Sequence, residues 1–198
     1  DVLTFSVDQT SNAAVSIVEN ILTIDPDDNY NGPLAITVSI SDGLESASTS
    51  FNVTVNPIND APELTLIEDQ VIEEDTSLSL SLFASDIDED SLTYDAGVNG
   101  NATVSIDGDD QLTVNPDDDF NGLIEVTVFV SDGGLSDSQT FILTVNPTND
   151  APTINDVATQ EMDEDRSLEI PLFGDDIDGG DVLTFSVDQT SNAAVSIV

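Results

Sequence analysis

Carboxylate motifs recur along this chain at spacings that suit the binding of a hard cation. Asp86, Asp88 and Asp90 present three carboxylates from one short segment, and the Asp-Ile-Asp part of that segment recurs 90 residues further on. Calcium takes six to eight oxygen ligands, and alternating aspartates in a loop can supply several of them. A single motif of this kind is typical of a polar turn. The recurrence of five acidic motifs favours divalent-cation binding.

The composition limits the chemistry that is available. There are 41 acidic residues, 30 of them aspartate, against the single basic residue Arg166, and the chain has no Cys or His. Thiolate and imidazole metal sites are therefore excluded, which leaves carboxylate and carbonyl ligands. Nucleic acid is a poor partner, as is an anionic membrane, because almost nothing basic could meet phosphate. A solvated acidic surface that keeps a secreted protein soluble is the alternative explanation of the charge.

The residues that enzymes use as nucleophiles and bases are largely missing. Without His, Cys or Lys, nucleophile–base pairs are nearly excluded. Paired carboxylates could cleave glycosides, but they have no aromatic cleft beside them and Trp is absent. We therefore expect no enzymatic activity. No apolar stretch approaches transmembrane length, so we expect no direct membrane insertion.

The chain repeats itself at two periods. Residues 181–198 are identical to residues 1–18, an offset of 180, and the Asn-Asp-Ala-Pro motif at 59–62 recurs at an offset of 90. Self-similarity at a fixed period is the sequence signature of tandem arrays. We expect this chain to be a window from a longer array. Residues 58–147 would form a complete repeat, 1–57 the C-terminal part of the preceding one, and 148–198 the N-terminal part of the next.

Alternating apolar and polar residues predict short β-strands within each repeat. Leu78, Leu80 and Leu82 alternate with serines, and the segment 124–130 alternates in the same way. Clusters of Asp, Gly and Pro separate these segments, and none has a helical period. About seven antiparallel strands in 90 residues predict an all-β, Greek-key β-sandwich. A β-solenoid is the alternative, but its rungs need much shorter periods.

The links between repeats are short and rich in proline. Each repeat ends in Asn-Pro, at Pro57 and Pro147, and the next begins at once with Asn-Asp-Ala-Pro. Because proline restricts its own φ and the conformation of the residue before it, these links are predicted to be stiff. We expect the sandwiches to be arranged end to end.

The doubled Asn-Asp, Glu-Asp, Asp-x-Asp and Ser-Asp-Gly motifs resemble those of the cadherin-like tandem repeats of large bacterial surface adhesins, the RTX-type calcium-binding group. The phrase VTVNPINDAP at 53–62, its copy ending at Pro152, and PDDDFNG at 116–122 carry the resemblance, which covers the whole chain. It implies tandem cadherin-like or Ig-like sandwiches. It also implies that Ca²⁺ is held between successive domains by the end of one domain, the linker and loops of the next.

Carried over by motif, the resemblance implies one set of metal ligands for each junction between repeats. At the 57/58 junction the set is Asp27, Asp28, Asn59, Asp60, Glu74, Asp86, Asp88 and Asp132. At the 147/148 junction it is Asp117, Asp118, Asn149, Asp150, Glu164, Asp176 and Asp178, with Asp119 as a further candidate. Pro57 and Pro147 stand where cadherin linkers carry a carboxylate. One or two ions per junction are therefore expected, rather than three.

Two functions remain open at this point. The first is a calcium-stiffened structural repeat of a long extracellular adhesin or filament, acting as a spacer or stalk. The alternative is a carbohydrate- or self-binding module of a cell-surface or biofilm matrix protein. Ten aromatic residues and a near absence of Lys and Arg leave few adhesive side chains, which favours the spacer. The expected partners are neighbouring repeats and other copies in a filament, and the expected location is extracellular, secreted or at the cell surface.

Overall fold

The computed structural model describes residues 3–188 and 194–197, and their regular secondary structure is entirely β. The all-β class predicted from the alternating segments is confirmed. Within the described ranges, no helix is present that could span a membrane. The strands are β1 (Thr4–Val7), β2 (Ala13–Val18), β3 (Ile21–Pro26), β4 (Gly32–Ser41), β5 (Ser46–Val55), β6 (Glu63–Leu64), β7 (Gln70–Glu73), β8 (Leu78–Ser81), β9 (Ala84–Ser85), β10 (Thr93–Val98), β11 (Ala102–Ile106), β12 (Gln111–Pro116), β13 (Gly122–Ser131), β14 (Ser136–Asn146), β15 (Thr153–Ile154) and β16 (Gly174–Asp175).

These strands pair into small sheets. The strand orders are β10-β13-β14-β7, β11-β12-β8 and β1-β4-β5, and three further pairs are β2-β3, β6-β9 and β15-β16. Most of the pairing is antiparallel, but β7 runs parallel to β14, with Gln70 opposite Leu143 and Glu73 opposite Asn146. Because the two strands run in the same direction, the end of β7 lies beside the end of β14. That register positions the acidic residues that follow β7.

The chain divides into two compact units. The first comprises Asp1–Leu66, Phe83–Asp95 and Val128–Gln139, and the second Ile67–Leu82, Ala96–Thr127 and Thr140–Val198. The first unit buries the apolar side chains of Ala13, Val15, Leu34, Ile36, Leu64, Val128 and Val130. The second buries those of Leu78, Leu82, Leu112, Val114, Ile124, Val126, Phe141, Leu143 and Val145. The repeat boundaries expected at 57/58 and 147/148 stay predictions.

The segment 124–130 shows how alternation selects the buried face of a strand. Ile124 and Val126 are fully buried on β13, whereas Leu123 and Phe129 are exposed. Successive side chains of a strand point to opposite faces, so one face of β13 contributes to the core and the other faces solvent. Leu123 and Phe129 are as apolar as the buried residues, so residue type alone does not show which face of β13 is buried.

A turn in the PDDDFNG motif positions one acidic residue of the site. The Asp117 carbonyl accepts the Phe120 N–H at 3.1 Å, and Asp119 between them has a φ of 59°. Gly122 follows with a φ of 142°, and a Cβ at this position would lie 3.1 Å from the Phe120 ring. The left-handed φ at position 119 is compatible with a short polar residue such as Asp. The φ at position 122 and the close Phe120 ring favour glycine, which has no Cβ. The motif therefore holds the Asp119 carboxylate at a fixed place after β12.

Candidate metal centres

Glu74 is a buried carboxylate at the end of β7, with 4% of its surface exposed. Its backbone N–H donates to the Asn146 carbonyl at 2.9 Å, which continues the parallel pairing by one residue. Oε2 accepts the side-chain N–H of Asn121 at 3.2 Å, and Oε1 accepts the backbone N–H of Thr148. These contacts hold the side chain in place. They also offset part of the cost of burying its charge, because both oxygens accept hydrogen bonds.

Three carboxylates converge around this side chain. One oxygen each of Glu74, Asp150 and Asp178 lies within 4.8 Å of the other two, and we call these residues the Glu74 group. The Asp150 N–H donates to Oδ2 of Asp178 at 2.7 Å, and the Asp178 N–H donates to Oδ1 of Asp176 at 3.0 Å. Backbone donors therefore orient the carboxylates but do not neutralise their charges.

A second group shares Asp150. Asp75, Asp119 and Asp150 also offer oxygens within 4.8 Å of one another, and they form the Asp119 group. The Asp119 N–H donates to Oδ1 of Asp75 at 3.2 Å. Asp75 adopts a φ of 59°, as does Asp119, so both carboxylates extend from tight turns. A further group, Asp176, Asp178 and Asp181, has the same spacing.

The crowding of negative charge perturbs two of these acids. Desolvation raises the pKa of Asp150, and the neighbouring charges of Asp119, Asp75, Asp178 and Glu74 raise it further. Desolvation is also the main cause that raises the pKa of Asp119, followed by the charge of Asp75. Both effects favour the protonated acid. A bound cation would act in the opposite direction and hold these groups ionised.

The Asn-Asp motif of the first unit has a matching arrangement. The Asp60 N–H donates to Oδ2 of Asp88 at 2.8 Å, and the Asp88 N–H donates to Oδ1 of Asp86 at 2.9 Å. These bonds repeat those of the Asp150 motif at an offset of 90. Oδ2 of Asp86 is buried, and within the described residues it has no hydrogen-bond partner. A buried carboxylate oxygen without a donor is costly unless a cation or water supplies the missing contact.

A polar cavity lies in the same unit, next to these residues. Its volume is about 480 Å³, and it is lined by Asn31, Pro57, Asn59, Ile87, Asp88, Glu89 and Asp90. The side chain of Asn59 donates to its neighbour's carbonyl, the Asp60 oxygen, at 3.1 Å. The same contact joins Asn149 to Asp150 at 2.6 Å. The side-chain amide of the Asn in each Asn-Asp pair thus donates to the backbone carbonyl of the Asp that follows it.

Asp132 has a clear structural role in the Ser-Asp-Gly turn. Its Oδ1 accepts the N–H groups of Gly134 and Leu135, both at 2.6 Å, and its Oδ2 accepts the Asn59 side chain at 2.9 Å. The Leu135 N–H, then Asn59, then the Gly134 N–H lower the pKa of the Asp132 carboxyl. Asp42 makes the equivalent turn with two backbone donors. Both oxygens of the Asp132 carboxylate thus accept hydrogen bonds in and beside the turn, and its assignment as a metal ligand stays a prediction.

The structure brings together some of the residues that the sequence placed in each ligand set. Asp150 and Asp178 lie with Glu74, and Asp176 contacts the same segment. Asn59, Asp60, Asp86, Asp88 and Asp132 are linked by the hydrogen bonds given above. Within the described part of the chain, the remaining carboxylates of the two sets belong to none of the three groups: Asp27, Asp28, Asp117, Asp118 and Glu164.

Glu74 does not lie with the ligand set to which the motifs assigned it. The resemblance assigned it to the 57/58 set, but its carboxylate lies with Asp150 and Asp178 of the other set. The reason is the parallel pairing of β7 with β14, which carries the end of β7 to the place where the chain leaves β14. An antiparallel first strand would have left Glu74 at the opposite end.

Sequence reasoning missed Asp75 and Asp181, and it gave Asp119 only as a further candidate. Asp75 is the second residue of the Glu-Asp motif, so its recurrence as Asp165 was a usable signal. Asp119 has no acidic counterpart at an offset of 90, where Asn29 stands. Asn29 and Asp119 both have a φ of 59°, so the repeat retains the turn and varies the ligand.

The donor chemistry of both clusters fits a hard divalent cation. Every candidate ligand is an oxygen from a carboxylate, an amide or the backbone, as Ca²⁺ and Mg²⁺ require. The Glu74 group contains three carboxylates, one of them buried. The residues around the first Asn-Asp motif include Asp86, whose buried Oδ2 has no hydrogen-bond donor among the described residues. Calcium accepts irregular sets of six to eight oxygens, whereas magnesium demands a near-ideal octahedron. Carboxylates from separate loops suit the more flexible coordination of calcium.

Comparisons with known proteins identify the same class of fold. A family model described as "Bacterial Ig domain" matches residues 59–144. No curated protein sequence matches the chain. Human protocadherin-24 EC1-2 is similar in structure at a TM-score of 0.50 and 17% identity, with 75% of this chain and 83% of that chain covered. These findings support a cadherin-like or Ig-like β-sandwich repeat.

Two further solved structures are similar at lower scores. Drosophila N-cadherin EC1-3 has a TM-score of 0.40 and 13% identity, covering 74% of this chain and 55% of that chain. An endo-fucoidan hydrolase of glycoside hydrolase family 107, MfFcnA4, has a TM-score of 0.36 and 20% identity. That match covers 75% of this chain but only 24% of the hydrolase, so the chain spans about a quarter of its length. At such scores neither structure carries an argument about function.

Proposed function

We propose that this chain is a calcium-stiffened structural repeat of an extracellular surface protein, in which it acts as a spacer or stalk rather than as an enzyme. The cadherin-like or Ig-like fold supports a structural role. The proposed location is outside the cell, where calcium is abundant enough to fill sites of modest affinity. Neighbouring repeats of the same chain are the proposed partners.

The observation that carries the proposal is the Glu74 group. Three carboxylates lie within 4.8 Å of one another around a nearly buried side chain, and the whole sequence offers a single basic residue to balance them. Like charges at this distance repel, and the repulsion is stronger where water is partly excluded. A divalent cation would turn this repulsion into attraction. The unsatisfied Asp86 oxygen supports a second site at the other Asn-Asp motif.

The proposed ligands follow from these contacts. At the 147/148 junction they are Glu74, Asp150 and Asp178, with Asp75 and Asp119 able to hold a second ion through the shared Asp150. At the 57/58 junction they are Asn59, Asp60, Asp86 and Asp88. At the 147/148 junction, bound calcium would couple the end of one repeat to the start of the next, because Glu74 precedes that boundary whereas Asp150 and Asp178 follow it. It would thereby restrict motion at the Asn-Asp-Ala-Pro link at 149–152.

Calorimetric titration of the full chain with calcium tests the proposal directly. We expect saturable binding of at least two ions, and a melting temperature that rises more with calcium than with sodium at equal ionic strength. The double variant Asp150→Asn/Asp178→Asn should lose the binding at one junction. The matched control is Asp107→Asn/Asp109→Asn, which alters two exposed aspartates in the β11–β12 turn. Melting curves that coincide in calcium and in chelator would refute the proposal.

A further inference from the structure

Phe83 is a large apolar side chain that lies mostly in solvent. Its exposed fraction is 66%, although Leu82 beside it is 4% exposed. Phe173 lies at the equivalent position, at an offset of 90, and it is 63% exposed. Single exposed apolar residues are common on protein surfaces. Phe83, however, lies well inside the segment 59–144 that matches the domain model, and its exposure recurs at Phe173. The fold therefore presents this ring to solvent as a regular feature.

Strand pairing determines what surrounds the Phe83 ring. β6 and β9 pair with Glu63 opposite Ser85. The Thr65 N–H donates to the Phe83 carbonyl at 2.8 Å, which continues this pairing by two positions. Because successive side chains of a strand point to opposite faces, Phe83 shares its face with Glu63, Thr65 and Ser85, and all four are exposed. We call these four residues the Phe83 face.

The same arrangement surrounds Phe173. β15 and β16 pair with Thr153 opposite Asp175, and the Asn155 N–H donates to the Phe173 carbonyl at 2.9 Å. Phe173 therefore shares its face with Thr153, Asn155 and Asp175, and all four are exposed. We call these four residues the Phe173 face.

Both faces contain a phenylalanine and one carboxylate, and they differ in their other residues. The carboxylate is Glu63 on β6 in the first face and Asp175 on β16 in the second. Glu63 is diagonal to Phe83 across the strand pair, a relation that places two Cβ atoms about 7–8 Å apart. Asp175 is two residues from Phe173 along one strand, a spacing of about 7 Å. Each face therefore has space for a single cation that contacts both the ring and the carboxylate.

An aromatic ring beside a carboxylate suits the side chain of arginine. A cation is attracted to the face of an aromatic ring when it lies within about 6 Å of the ring centroid. A guanidinium group is planar, stacks on aromatic rings and donates paired hydrogen bonds to a carboxylate. The formal net charge of −40 also attracts basic molecules towards this chain. Local and overall electrostatics therefore favour the same kind of partner.

We propose that the Phe83 face and the Phe173 face are docking sites for arginine side chains of a basic partner protein. The partner must be a different chain, because this sequence has a single basic residue, Arg166, and a second copy would bring the same net negative charge. One exposed ring contributes little affinity, so several faces would act together on a partner that carries several arginines. The inference does not depend on calcium, because neither face includes a residue of the candidate metal centres.

A nuclear magnetic resonance titration of the full chain with a Gly-Arg-Gly-Arg-Gly peptide tests this proposal. About 0.15 M salt would screen long-range attraction to the acidic surface. We expect saturable shifts of the Phe83 and Phe173 ring resonances. Phe83→Leu/Phe173→Leu should bind the peptide about two- to fivefold more weakly, whereas Phe83→Tyr/Phe173→Tyr should retain the wild-type affinity. Equal affinity in the leucine variant and in wild type would overturn the proposal.

Two matched comparisons separate this contact from general attraction between opposite charges. Phe129→Leu makes the same substitution at an exposed ring whose equivalent in the other repeat is Ser39, and it should bind as wild type does. A peptide with lysine in place of each arginine has the same charge and should bind more weakly, because its ammonium groups cannot stack. An equal loss of affinity in Phe129→Leu would overturn the assignment of the surface.

The same assay distinguishes two other occupants. Cellohexaose, a neutral glucose oligomer, should leave the Phe83 and Phe173 resonances unchanged. Saturable shifts with this sugar, together with no response to the arginine peptide, would overturn the proposal in favour of a saccharide site. Light scattering of wild type and Arg166→Gln tests a second copy. Self-association that Arg166→Gln abolishes would show that the chain binds its own arginine, and it would overturn the assignment of a different partner.

Discussion

Replacing Glu74 by glutamine would separate the structural role of this carboxylate from its proposed metal-binding role. Glutamine has nearly the same volume and keeps one oxygen, so it can still accept one of the two hydrogen bonds that Glu74 accepts from Thr148 and Asn121. The lost charge-assisted bond costs about 1.5–3 kcal/mol. Removal of one of three crowded negative charges offsets part of that cost. In chelator the variant is therefore expected to unfold close to the wild-type temperature.

Calcium should reveal the difference. At a free concentration of about 100 times the dissociation constant, one bound ion stabilises the folded state by about 2.7 kcal/mol. Loss of a charged ligand should raise the dissociation constant about tenfold or more, as changes near metal sites do. At the same calcium concentration the stabilisation then falls to about 1.4 kcal/mol. For a domain of this size the loss corresponds to about 5–10 °C in melting temperature.

The assay is scanning calorimetry of wild type and variant, each in calcium and in chelator. The informative quantity is the calcium-induced shift of each protein, because hydrogen-bond costs cancel in it. Glu164→Gln is the matched control: it makes the same substitution at the equivalent repeat position, where the side chain is exposed and outside the carboxylate groups. Its calcium shift should equal that of wild type. An undiminished shift in Glu74→Gln would refute the assignment of Glu74 as a ligand.

Three other predictions follow from the described contacts. In chelator, the contribution of Asp119 and Asp150 to the free energy of unfolding should rise as the pH falls from 7 through their raised folded-state pKa values, and it should be complete below the unfolded value of 3.8. Urea unfolding at several pH values should show this pH dependence. The variant Asp119→Asn/Asp150→Asn should have a weaker pH dependence. Phe141→Ala should cost about 3–5 kcal/mol, and Phe51→Ala roughly half as much because 41% of that ring is already exposed; the same unfolding assay compares them. Gly122→Ala should cost roughly 1–3 kcal/mol from its φ and the nearby Phe120 ring, whereas exposed Gly108→Ala, with open space around its Cβ, should cost less.

The alternating pattern predicted β8 and β13 of the complete repeat, whereas β7 and β9 were not predicted. Ile124 and Val126 fall on the buried face of β13, as their spacing required. Side-chain alternation reports which residues share a face, and it depends on local sequence alone. The parallel pairing of β7 with β14 could not be predicted in this way, since pairing direction depends on residues about 73 positions apart. The junction of Glu74 was misassigned for that reason.

The acidic motifs indicated some of the residues that lie together, but the same motif is compatible with more than one role for each aspartate. Asp150 and Asp178 were found from recurrence, and they lie together. Asp132 recurs just as clearly, yet its carboxylate forms the Ser-Asp-Gly turn with three hydrogen bonds. An aspartate that accepts local backbone N–H groups has the same sequence signature as one that binds metal. Only the positions of the donors separate the two roles.

The parallel pairing of β7 with β14 also bears on how the chain would respond to tension. The four paired positions run from Gln70 opposite Leu143 to Glu73 opposite Asn146, just before the chain leaves β14 at Pro147. A pull on the two ends of the repeat would draw these strands past each other along their length. All of their hydrogen bonds would then be loaded together in shear, rather than broken one at a time as in the peeling of a hairpin. The Glu74 side chain, fixed to Thr148 and Asn121 at the end of this pair, would add a further fastening at the point where the force enters.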